Sequence, residues 1–148
     1  MDNRTWVVLA DEASAKLYES KAAERNWKLV AEMSHPESRA KESELVSDKP
    51  GRVQQSEGYR SAMEPPTPRK KVEVDRFARE VAQTLDDAAA KRAFDRLILV
   101  AAPPFLGVLR QHLSGRVQKH VVATIEKDYL HLDLREVRER LDVQFETR

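Results

Sequence analysis

The sequence predicts an α/β domain, a mixed five-stranded sheet in βββ-α-β-α-β-α order with helices on its faces. Three observations lead there. Up to His35, apolar residues recur at the two-residue period of strands. From Val74 the period changes to that of an amphipathic helix. Arg96–Ala102 (RLILVAA) then reads as a continuous apolar run, as expected of a central strand covered on both faces.

Each element has its own signal. Thr5–Ala10 (TWVVLA) is β-branched and aromatic, a buried first strand. Residues 11–14 (DEAS) form a turn, because aspartate bonds its own nearby backbone. Ala15–Ser20 (AKLYES) alternates, with Ala15, Leu17 and Glu19 on one face, and makes the hairpin partner. Trp27–His35 follows as a third strand, with Trp27, Leu29, Ala31 and Met33 expected on one face. Short connections make the first three strands an antiparallel meander. Val74, Phe77, Ala78, Val81, Leu85, Ala88 and Ala89 define the buried stripe of the first long helix. Pro103-Pro104 opens a second helix through about His112, since proline is tolerated in a first turn. A short helical turn fits Ser114–Lys119, and Val121–Glu126 (VVATIE) makes the fifth strand. Asp133 and Glu136 have capping-box spacing, starting a last helix through Leu141.

The 148 residues fit a single domain able to bury a real core, interrupted by one long connection at about 36–71. Ordinary loops run to about 4–6 residues, so this one is the first candidate for a contact surface. Its first part, Glu37–Val46, has the makings of a short helix, but Pro50-Gly51 and Glu57-Gly58 break anything longer. The exit is Pro-rich and triply basic at Arg69-Lys70-Lys71. A net charge of +1 argues against bulk attraction to polyanions, so any nucleic-acid role needs a local patch. The absence of cysteine excludes disulfides and thiolate metal sites and suits a cytoplasmic protein. The apolar run near the start is too short for a signal-peptide core of roughly 7–15 residues. The run from Leu97 to Leu109 contains two prolines and falls short of the ~20 residues that span a bilayer, so no membrane role is expected.

The strand and helix order matches ribonuclease-H-like folds, which raises metal-dependent nuclease chemistry. Such a site needs carboxylates converging on two cations. Asp11 and Glu80 sit near two of the required positions, but the fourth strand runs into Ala101-Ala102-Pro103-Pro104. Asp11 reads better as a turn residue. His35, His112, His120 and His131 lack metal-ligand spacing and read as structural or solvated. No nucleophile elbow, Walker loop or dinucleotide fingerprint is present. The expectation is a non-enzymatic protein without metal or cofactor. Within the long connection, Arg52, Arg60, Arg69, Lys70 and Lys71 are candidates for tracking phosphates, Gly58 for close backbone approach and Tyr59 for stacking on a base.

The segments WVVLADEASAKLYE, SDKPGR, RSAMEP, FAREVAQTL and Asp95–Leu132, with its APPFLG helix opening and EKD-x-x-H-L ending, resemble the bacterial host-attachment family. The resemblance covers nearly the whole chain. That family is similar to the middle domain of archaeal and eukaryotic class-1 peptide-release factors, which carry a Gly-Gly-Gln tip on the corresponding loop. Here the loop holds Gln54-Gln55-Ser56-Glu57-Gly58-Tyr59 and no Gly-Gly-Gln. The resemblance therefore implies the release-factor-type fold and ribosome or RNA association through 36–71. A protein–protein interaction module acting indirectly on attachment is the alternative, and a peptidyl-tRNA hydrolase-like activity a more distant one.

Overall fold

The structure, a computed structural model, describes residues 4–21, 27–35 and 68–146. Strands β1 (Arg4–Ala10), β2 (Ser14–Lys21) and β3 (Lys28–Ser34) precede helix α1 (Pro68–Ala90). Then come β4 (Arg96–Ala101), α2 (Pro103–His112), α3 (Gly115–Gln118), β5 (Val121–Ile125) and α4 (Leu134–Glu146). The sheet order is β3-β2-β1-β4-β5. The first three strands are antiparallel neighbours, and β4 pairs in parallel with both β1 and β5. The expected meander and the interior position of β4 are both observed. Burial explains that position: Leu97, Leu99 and Ala101 enter one core while Ile98 and Val100 enter the other. Only a strand with neighbours on both edges and helices on both faces keeps such a run from water.

The larger core packs α1 and α2 on one face. Phe77, Val81 and Leu85 of α1 meet Trp6, Val8, Leu17 and Leu99 of the sheet and Phe105, Leu106 and Leu109 of α2. The smaller core lies on the other face, where Val137 and Leu141 of α4 cover Val7, Leu9, Ile98 and Val100. Asp133 caps α4 as its spacing predicts, its Oδ1 accepting the Glu136 N–H at 3.0 Å.

Two local expectations are corrected. Strict alternation along the third strand fails, because the register shifts opposite Leu17/Tyr18 and Val30 is left as an extra residue. Ala31 and Met33 therefore join the larger core with Val30, while Trp27 packs in the smaller one and Leu29 is exposed. A bulge on an edge strand twists that edge and hinders pairing with another chain. The long connection also ends earlier than 71: Arg69, Lys70 and Lys71 lie in the first turn of α1, which begins at Pro68. Proline at the first helical position needs no N–H partner. That turn carries no buried apolar residue, so hydropathy periodicity had no purchase on it. The short helix expected over Glu37–Val46 lies outside the described residues.

At its far end α1 closes with two reverse bonds, Arg92 N–H to Ala89 O and Ala93 N–H to Ala88 O. Arg92 occupies the left-handed position of this motif at φ 58°, where glycine is usual.

Candidate interaction site at the carboxyl edge of the sheet

Strands β1, β3, β4 and β5 all end at one edge of the sheet, and the 36–67 connection leaves and re-enters there. Asp11 builds the turn after β1. Its Oδ1 accepts the N–H groups of Ala13 and Ser14, each at 2.8 Å, and its own N–H donates to Ser14 O at 2.9 Å. This is the turn role that the sequence assigns it. The end of β3 is tied to the same turn through the His35 N–H, which donates to Ala13 O at 2.8 Å.

His35 also joins the two ends of the long connection. Its ring stacks on Phe77, with centroids 5.8 Å apart, and its Nε2 lies 2.8 Å from Glu73 Oε1. Residues 38 apart in sequence thus meet beside the larger core. Two residues further along α1, Asp75 Oδ1 lies 2.7 Å from His112 Nε2, at the end of α2. The two histidines pin successive parts of α1, one to the sheet and one to α2. Near its start, Lys70 reaches Glu12 Oε2 at 3.2 Å.

These contacts shift the carboxylates. The hydrogen bond from His35 holds Glu73 below its ordinary value, opposed by desolvation and helped by Arg76. The hydrogen bond from His112 does the same for Asp75, again against desolvation. A carboxylate with a depressed folded pKa stabilises the fold above its unfolded value and loses that contribution as pH falls through the folded one. Wild type is therefore expected to melt at a higher temperature than Glu73→Gln/Asp75→Asn above pH 4.5, with the gap closing progressively below 3.8. A gap independent of pH across that range would assign the effect to packing.

His131, in the loop after β5, points its Nε2 to within 3.6 Å of Asp11 Oδ2 and 4.0 Å of Asp128 Oδ2. Both separations exceed hydrogen-bond length. Among the described residues, no three or more His, Cys, Asp or Glu side chains gather in a way that would hold a metal ion. Glu80 is exposed on the outer side of α1, and β4 ends at Ala101 without a carboxylate.

Of the residues singled out from sequence, Arg52, Gly58, Tyr59 and Arg60 lie outside the described residues. The structure brings Arg69, Lys70 and Lys71 together on one helical turn. No acidic residue accompanies them there. Cations at a helix N-terminus oppose the macrodipole, at a cost of about 0.3–1 kcal/mol each where exposed. Glu12 offsets that for Lys70, whereas Arg69 and Lys71 are exposed and form no ion pair with a described residue. Glu12, His35 and Glu73 escaped the sequence reading as members of this site. The one available signal was position, since His35 and Glu73 flank the long connection.

A family model for proteins required for attachment to host cells matches residues 6–141. The chain belongs to that family. No curated protein sequence matches the chain. Among solved structures, this family member is similar to an archaeal protein at 13% identity and a TM-score of 0.51, over 95% of this chain and 33% of that one. It is also similar to an archaeal translation termination factor at 12% identity and a TM-score of 0.51, over 96% of this chain and 38% of that one. At such identities the likeness is one of fold. This host-attachment family chain spans between 33% and 38% of the length of those longer proteins. Among the described residues, no helix is long and apolar enough to cross a membrane.

Proposed function

We propose that this host-attachment family protein is a non-enzymatic binding module of the cytoplasm that associates with ribosomes or RNA through the 36–71 region. The observation that carries the reading is the root of that region. The His35–Glu73 contact brings its two ends together at the carboxyl edge of the sheet, beside an exposed Arg69 and Lys71. The exposed cations Arg69 and Lys71 suit phosphate contacts, which position a nucleic acid without reading its sequence. Arg52, Arg60 and Lys70 extend the proposed phosphate contacts, with Gly58 allowing close approach and Tyr59 stacking on a base. The likeness of fold to a translation termination factor supports a ribosomal setting. The chain lacks a Gly-Gly-Gln in this region, which counts against peptidyl-tRNA hydrolysis.

Ribosome co-sedimentation tests the proposal. Wild type is expected to sediment with ribosomes at low salt and to be released by ribonuclease. Alanine at Arg60, Arg69 and Lys71 should weaken binding and lower its salt slope by about 0.7–0.9 for each phosphate no longer neutralised. Stability should change by no more than about 0.5 kcal/mol per exposed substitution. Capture that survives ribonuclease and is indifferent to the triple variant would favour a protein partner, the reading closer to the family's attachment phenotype.

A further inference from the structure

The opposite edge of the sheet carries a row of cations. In strand order from one side to the other, Lys28 starts β3, Lys21 ends β2, Arg4 starts β1 and Arg96 starts β4. Lys119 stands just before β5. The register makes these positions neighbours. Arg4 is the direct partner of Lys21, Lys28 is paired with Glu19, and Arg96 is paired with Thr5, the residue after Arg4. The Leu97 N–H donates to His120 O at 2.8 Å, which brings Lys119 to the end of the row. Adjacent strands lie about 4.8 Å apart, so five positions extend over about 19 Å.

Lys21, Lys28, Arg96 and Lys119 are exposed, and none forms an ion pair with a described residue. Arg4 is held in place: its Nη2–H donates to Arg92 O at 2.7 Å, while its buried Nε–H has no hydrogen-bond partner among the described residues. The described carboxylates at these strand ends are Glu19 and Asp95, and Asp95 Oδ2 already accepts the Arg4 N–H at 2.8 Å. Lys91 and Arg92, exposed at the end of α1, add positive charge beside the row. The carboxyl edge differs, since Asp11, Glu12, Glu73 and Asp128 gather there and Glu12 takes up Lys70. Among the described residues, the amino edge thus holds four exposed cations without an ion pair, against Arg69 and Lys71 at the start of α1 on the carboxyl edge.

We propose that this amino-edge row binds the phosphodiester backbone of single-stranded nucleic acid. By strand alternation Lys21 and Lys28 lie on the larger-core face and Arg96 on the smaller-core face, so these long exposed cations rim the end of the sheet. A rim of this kind fits a linear polyanion better than a compact acidic patch on a protein. Such contacts follow the backbone and release counterions without reading bases. The proposal keeps the nucleic-acid partner of the reading above but places this contact at the opposite end of the sheet, so each can fail alone.

Fluorescence anisotropy with labelled oligouridylate and oligothymidylate over a range of salt concentrations provides the test. The variant Lys21→Gln/Lys28→Gln/Arg96→Gln/Lys119→Gln should bind both probes more weakly, with the salt slope lower by about 2.8, from four phosphates no longer neutralised at about 0.7 each. The charge-preserving Lys21→Arg/Lys28→Arg/Lys119→Arg should keep the wild-type slope. If the quadruple variant does not fold by circular dichroism, the four single variants carry the same test, each lowering the slope by about 0.7. Wild-type affinity and slope in the glutamine variants, or no binding by wild type at low salt, would overturn the proposal. Arg69→Gln/Lys71→Gln, measured in parallel, separates the two edges. Weaker binding there with an unaffected amino-edge variant sinks this inference and leaves the 36–71 reading standing; the reverse pattern does the opposite.

Discussion

Replacing Phe77 by alanine is expected to cost about 3–5 kcal/mol of stability, the range for truncating a buried phenylalanine. Phe77 is fully buried where α1, α2 and the sheet converge, with the Phe105 ring 6.0 Å away and the His35 ring stacked on it at 5.8 Å. The cavity left behind would be lined by neighbours on three elements that cannot all move inward together. Domains of this kind have total stabilities of about 5–15 kcal/mol, so the variant should unfold at a much lower denaturant concentration and be partly unfolded at moderate temperature. The truncation should also loosen the His35–Glu73 contact, since the ring under His35 fixes its position. A midpoint shift equivalent to less than about 1 kcal/mol would mean the site collapses freely, contrary to dense packing.

Asp11→Ala is expected to cost about 1–3 kcal/mol, because it strands the Ala13 and Ser14 N–H groups in a partly buried turn. Asp11→Asn keeps an acceptor oxygen in the same place and should recover more than half of that stability. The comparison separates two roles for one side chain. If the acceptor matters, asparagine rescues stability; if negative charge near His131 matters, asparagine behaves like alanine. Equal destabilisation of the two variants in equilibrium unfolding would refute the turn assignment. The effect should reach beyond the turn, because Ala13 O also accepts the His35 N–H that anchors the end of β3.

Much of the architecture was legible because it rests on local patterns. The apolar run of β4 required helices on both faces, and the spacing of Phe77, Val81 and Leu85 marked the buried stripe of α1. Asp133 announced a helix start, and Asp11 a turn, through the short reach of an aspartate side chain. The resemblance read from RSAMEP and the Asp95–Leu132 stretch pointed to the family whose model matches residues 6–141. The first turn of α1 was misplaced because Arg69-Lys70-Lys71 faces water and carries no hydropathy signal. The third strand was misread on one face because a bulge is a relation between two strands, and alternation within one strand does not encode it.

What the chain determined by itself was the order and kind of its elements, the two-sided burial of β4 and the turn at Asp11, all set by residues near one another in sequence. Tertiary structure decided what depends on distant residues meeting. His35 and Glu73 close the root of the long connection only because α1 packs on the sheet face that Val30, Ala31 and Met33 of β3 line. Lys28, Lys21, Arg4, Arg96 and Lys119 look like scattered surface charges along the chain. Strand pairing aligns them, because hydrogen bonding between neighbouring strands brings residues from opposite halves of the sequence to within a few ångströms at a common edge.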